Sequence, residues 1–143
     1  MKVSMGCDHG GYELKEAVKA YLVGKGYEID DCGCFSTDSC DYPHFAKAAA
    51  TKVAEGTVDK GIVICTTGIG VSIVANKISG IRCALCHDEF TAKMTRLHND
   101  SNVLAMGAKC VSEELAKSMV DIFLETEFSG EEKHIRRINL IEG

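Results

Sequence analysis

At 143 residues the chain has the length of one domain with room for a real core, and its net charge of -5 with no Lys/Arg run argues against a nucleic-acid binder, which needs a basic footprint. No stretch approaches the roughly 20 apolar residues of a membrane span. "MKVSMGCDHGG" starts like a strand and turns polar too soon for a signal peptide, so the expectation is a cytoplasmic enzyme or binding protein.

Two periods then alternate along the chain. "KVSMGC" (2–7) reads as a strand, and Leu14, Val18, Tyr21 and Leu22 fall on one stripe of a helix. A second strand starts at Tyr27 in "YEIDDC", and an irregular polar stretch runs to Pro43. Ala46, Ala49, Ala50 and Val53 mark a second helix whose small residues suit close packing. "GIVIC" (61–65) is wholly apolar, as a strand buried on both faces should be. A helix follows from about Gly70 to Ile78, then "RCALC" as a buried strand, then a helix from about Asp88 to Leu97. "NVLAMG" is the fifth strand. Ser112 can cap a helix with Leu115, Met119, Ile122 and Phe123 inside, and Ser129 with Glu132 has the capping-box spacing that opens a C-terminal helix.

Five strands interleaved with helices predict an α/β fold over residues 1–143: a single doubly wound, Rossmann-like domain with a parallel sheet of order 2-1-3-4-5 and a C-terminal helix. Such a fold places its chemistry beyond the carboxyl ends of the strands, near the switch in strand order. "CDHGG" after the first strand, "CTTGIG" after the third and the segment with "HND" before the fifth are assigned to such ends.

Eight cysteines invite other readings. A disulfide framework belongs to secreted chains, and no export signal accompanies these thiols. "CALCH" has the spacing of a haem attachment site but lies in an apolar run, and "DCGCFSTDSC" lacks a second pair at zinc spacing. Most of the thiols read as small buried residues, and no metal is expected.

In "CTTGIG", Gly68 and Gly70 let backbone N–H groups approach a ligand at a helix start, a cradle for a phosphate or for an oxyanion formed during reaction. It is neither a Walker loop nor a dinucleotide fingerprint. Cys65 beside it would feel the positive helix end, which favours a thiolate acting as nucleophile or general base; the alternative is a buried strand-end cysteine. Asp8 can be a helix cap, His9 can reach a phosphate oxygen or titrate near neutral pH, and His98 can complement a helix dipole. His44 and His87 read as surface or packing residues. On the last helix Lys133 and Arg137 share one side and Ile135, Ile138 and Ile141 another, with Glu131 and Glu132 able to neutralise part of the charge.

Taken together, "GCDHGG", "DYPHFA", "GIVICTTGIGVSIVANKISGIR", "LHNDSNVLAMG" and the final His/Arg helix resemble the type B ribose-5-phosphate isomerase family, which also contains the galactose-6-phosphate isomerase subunits. The resemblance implies an aldose–ketose isomerase for ribose 5-phosphate and ribulose 5-phosphate, working through an enediolate with neither metal nor organic cofactor. It also implies a homodimer or homotetramer with sites at the dimer interface and a sugar phosphate as the small-molecule partner. By motif, Cys65 matches the base, Thr67 and the backbone of Thr66, Gly68, Ile69 and Gly70 match the oxyanion cradle, and His98 matches the ring-opening group. Asp8, Tyr42 and Asn99 match residues that hold sugar hydroxyls; His9, Lys109, Lys133 and Arg137 match phosphate ligands. The chain departs from the family pattern at Thr66, usually glycine, and at Lys109 and Lys133, usually arginine; a lysine keeps the charge without the planar fork. The alternatives are a hexose 6-phosphate isomerase, for allose or galactose, and a noncatalytic sugar-phosphate sensor.

Overall fold

The computed structural model describes residues 1–143. Strands β1 (Lys2–Cys7), β2 (Glu28–Asp31), β3 (Lys60–Cys65), β4 (Cys83–Leu85) and β5 (Val103–Gly107) form one parallel sheet. Helices α1 (Tyr12–Gly24), α2 (Tyr42–Ala54), α3 (Ile69–Asn76), α4 (Glu89–Met94), α5 (Glu113–Glu125) and α6 (Glu132–Glu142) alternate with and follow the strands. No helix is long and apolar enough to cross a membrane.

Period-two alternation along the strands divides the core. Ile62 and Ile64 of β3 join Leu14, Val18 and Leu22 of α1 and Met119 and Phe123 of α5 on one face. Val63 and Cys65 point the other way, into the alanine-rich face of α2 and Val71 and Ala75 of α3. The thiol of Cys65 is thereby aimed at the α2–α3 side of the sheet.

The strand order is 2-1-3-5-4, which corrects the expected 2-1-3-4-5. Handedness explains the swap. Ala92 of α4 packs in the same core as α1, and α1 carries the crossover from β1 outward to β2. A right-handed crossover on that face moves in one direction only, so β4 to β5 must step back toward β3. The fully buried "VLAMG" of β5 then lies inside, and β4 is a half-buried, three-residue edge strand where a buried strand had been expected. The switch between β1 and β3 stays where it was predicted.

Local signals hold in part. The Ser112 hydroxyl accepts the Leu115 N–H at 3.0 Å and caps α5 as expected, although Leu115 and Ile122 are only half buried and Ala116, Val120 and Leu124 complete the inner stripe. The capping box at Ser129 does not form: Glu131 is the N-cap of α6, and the Ser129 hydroxyl donates to the Leu97 carbonyl at 2.8 Å. The expected helix through Leu97 ends at Met94 and continues as a π-helical turn, Thr95–Asn99.

Candidate active site

Cys65 ends β3 opposite Gly107 of β5, and the chain turns at once into α3. Gly68, the N-cap of α3, has φ +79, the left-handed region that favours glycine, and a β-carbon there would lie 2.7 Å from the Met106 carbonyl carbon. A β-carbon on Gly107 would stand 2.5 Å from Thr67 backbone, so the loop rests directly on the end of β5. Two backbone bonds pin it there, Ala108 N–H to the Cys65 carbonyl at 2.8 Å and Lys109 N–H to the Thr66 carbonyl at 3.0 Å. The second bond brings Lys109 to this mouth.

The Gly68 N–H donates to Cys65 Sγ at 3.1 Å, and the Ile69 N–H donates to Thr67 Oγ1 at 3.3 Å. Two amides of the expected cradle are therefore engaged by the loop's own side chains. Cys65 is 5% exposed, and what it exposes faces a cavity of about 430 Å³ lined also by Asp8, Tyr42, Thr66, Thr67, Ile69 and Gly70. Tyr42 starts α2 and lays its ring against Gly70. Asp8 Oδ1 accepts the Gly11 N–H at 3.0 Å and so holds the turn before α1 rather than capping the helix as expected, since Gly11 is the N-cap and no side chain caps it; Asp8 also lines the cavity. Thr66 Oγ1 occupies the space over Gly10 that a β-carbon would need. His9, exposed, accepts the Cys40 N–H on Nδ1 at 3.2 Å, which leaves Nε2 as its donor.

His98 and Asn99 lie elsewhere. Their turn precedes β5, so it sits at the amino ends of the strands, a correction to their expected place at the carboxyl ends. The length of β3, roughly 17 Å at about 3.3 Å per residue, separates the two ends. Asn99 Oδ1 accepts from Thr95 Oγ1 at 3.1 Å and lines a second cavity of about 600 Å³ with Arg82, Ser101 and Glu142. Arg82 caps the turn's last carbonyls, those of Asn99 and Asp100, at 2.9 Å each, and reaches Glu142 of α6 at 2.8 Å.

Sequence reading passed over His134. Its ring stacks on that of His98 with centroids 4.4 Å apart and an interplanar angle of 22°. Burial, helped by His98, Lys133 and Arg137, pushes its pKa below the ordinary histidine value despite Glu131. No spacing signals such a pair, because the rings come from different elements. Lys133 and Arg137 are exposed on the same helix, and Glu131 holds Lys133 at 3.6 Å, the partial neutralisation expected. Ile135 and Ile141 are 43% and 63% exposed and Ile138 is half buried, so most of the isoleucine side of α6 is uncovered within this chain. Among the remaining thiols, burial and then Cys86 push Cys83 up to about 12, and burial raises Cys86, which fits their reading as packing residues. All eight cysteines are free, and His44 and His87 are exposed.

A family model described as ribose/galactose isomerase matches residues 3–141. The chain is 46% identical over 140 residues to ribose-5-phosphate isomerase B of Escherichia coli K12, covering 98% of this chain and 93% of that protein. It is 44% identical over 131 residues to a 4-deoxy-4-sulfo-D-erythrose isomerase of a Clostridium species, covering 90% and 82%. The solved ribose-5-phosphate isomerase B of Clostridium thermocellum superposes with a TM-score of 0.97 at 46% identity, covering 99% of this chain and 95% of that one.

Proposed function

Because the chain belongs to the ribose/galactose isomerase family, we propose that it interconverts ribose 5-phosphate and ribulose 5-phosphate, with Cys65 as the base. The observation that carries this reading is the sulfur on the wall of the 430 Å³ cavity, at a strand end and beside the first amides of α3. Cys65, as thiolate, takes the C2 proton of the open-chain aldose and returns it to C1. A proton moves between O1 and O2 while the negative charge rests on the enediolate. The Gly68 N–H is a partner the sulfur anion keeps, and Gly70 with the Thr67 hydroxyl faces the oxygen that gains charge. Asp8 and Tyr42, which line the same cavity, hold hydroxyls; His9 and Lys109 stand at its mouth for the phosphate.

Ring opening by His98 needs a second protomer, since His98 and Cys65 of one chain lie at opposite ends of the sheet. The working unit is thus a homodimer, alone or within a tetramer, in which Cys65 of one subunit meets His98, Asn99, Lys133 and Arg137 of the other. Ile69 and Ile73 beside the cavity are 52% and 55% exposed and, with the open side of α6, offer apolar surface for that contact. The setting of this reading is cytoplasmic.

A second reading concerns the substrate's terminal anion. Glu131 engages Lys133, and lysines replace the usual arginines at 109 and 133, so this cation set suits a singly charged sulfonate as well as a phosphate. The test is a panel of ribose 5-phosphate, allose 6-phosphate, galactose 6-phosphate and 4-deoxy-4-sulfo-D-erythrose, run with a chelator present. Highest kcat/KM on ribose 5-phosphate is the expected result. A strong preference for a hexose phosphate or the sulfonate would replace the substrate, and tight binding without isotope exchange at C2 would make the protein a sensor.

A further inference from the structure

Arg96 is 5% exposed, and a buried charge is tolerated only when hydrogen bonds replace its water. Its Nε donates to the Thr126 carbonyl at 2.9 Å, and one terminal nitrogen donates to both the Asp100 carboxylate and the Ser101 carbonyl at 2.7 Å. The guanidinium carbon lies 5.8 Å from the centre of the Phe123 ring. One side chain therefore ties together the π-helical turn, the entry to β5, and the end of α5 from which the chain leaves toward α6. Asp100 needs such a hold, because its φ of 44 is a left-handed conformation that costs a residue with a β-carbon. Ser129 supplies a second tie from the same linker, through its hydroxyl to the carbonyl of Leu97, the residue before His98. Neither side chain bonds an imidazole. Between them they fix the two backbones from which the stacked His98 and His134 rings project.

We propose that Arg96, seconded by Ser129, is a positioning residue for the reaction: it locks the turn carrying His98 and Asn99 to the linker of α6, so that these groups and the α6 cations meet the substrate as one rigid unit. The inference rests on the reading of His98 as the ring-opening group. A lysine at 96 would keep the charge near Asp100, but a single ammonium lacks the fork that reaches Thr126 and Ser101 in fixed directions.

The experiment compares Arg96→Met, Arg96→Lys and Ser129→Ala for kcat/KM on ribose 5-phosphate, for melting temperature, and for the ring-current shifts of the His98 and His134 protons by NMR. A misplacement on the order of 1 Å costs about 100-fold in rate, so Arg96→Met should lose about that much together with the ring-current signature, and Arg96→Lys should recover part of both. Ser129→Ala, at an exposed position, should lose about threefold at an unchanged melting temperature, and it decides the matter if Arg96→Met does not fold. Full kcat/KM in both Arg96→Lys and Ser129→Ala, or losses that merely follow the folded fraction while the rings stay stacked, would overturn the proposal. His98→Asn, assayed alongside, separates the two ideas: if it is inactive while the Arg96 variants are fully active, only the positioning role fails; if it is fully active, the reading of His98 fails.

Discussion

A thiol serves as a carbon base only where it is both aimed and reachable. Cys65 meets both conditions at a strand end: its backbone is locked in the sheet and its sulfur faces a cavity. Cys65→Ala should lower kcat about a thousandfold, within the range that positioned proton transfer contributes. The free energy of unfolding should fall by only about 1 kcal/mol, because so small a side chain leaves little void; full activity in that variant would remove the thiol from the mechanism. Lys15 is the contrasting case. Its side chain is fully buried, with Nζ at 2.7 and 2.9 Å from the Asp31 carboxylate and 2.7 Å from the Cys34 carbonyl. A lysine next to Leu14 in an amphipathic stripe reads as solvent-facing, and nothing in the spacing announces an acceptor on β2. Lys15→Met should destabilise by about 3 kcal/mol, as removing one partner of a buried ion pair does, and a denaturant titration will read it.

Elements were legible where one segment's own chemistry decides them. The apolar run of β3, the alanine face of α2 and the serine cap of α5 carry their reasons locally. The π-helical turn does not, because the groups that close it, Arg82 and the hydroxyl of Ser129, lie far off in the chain. Ser129 had the spacing of a capping box, but its hydroxyl donates to the Leu97 carbonyl and its oxygen accepts the N–H of Glu131, not that of Glu132. The contact between α6 and that turn also predicts a pH response. Burial of His134, with His98, Lys133 and Arg137 close by, lowers its folded pKa below its unfolded value near 6.5, so the unfolded chain binds the proton more tightly. Stability should hold above that value and fall as pH drops from it toward the lowered folded value. Asp31 acts in stronger acid: burial opposes its charge, but bonds from Lys15, Lys19 and the Gly33 N–H outweigh that and depress its pKa. Its contribution is present above the unfolded carboxylate value near 3.9 and is lost as pH falls through the folded one. Urea midpoints from pH 8 to 4 should show the loss in mild acid, and His134→Gln should remove that first part; an unchanged slope in the variant would contradict the assignment.

At the scale of the molecule, the sheet sorts the functional groups into two sets. Its carboxyl ends carry Asp8, His9, Tyr42, Cys65, the 66–70 loop and Lys109, while its amino ends carry His98, Asn99, His134 and the α6 cations. The two sets were present as motifs, but their separation was not legible, because a motif's place in the chain does not say which end of a strand it adjoins in space until the crossovers are known. The same gap produced the error in strand order, since periodicity marks the apolar side of α4 without saying which face of the sheet it covers. On the proposed reading these two sets are two half-sites, and a two-fold dimer would complete both at once. The most direct test mixes two inactive variants, Cys65→Ala and His98→Asn, by unfolding and refolding them together. A mixed dimer would hold one site with both native groups and one with neither, so an equal mixture should regain about a quarter of wild-type activity. No recovery in mixtures shown to contain mixed dimers would contradict a site built from Cys65 of one subunit and His98 of the other.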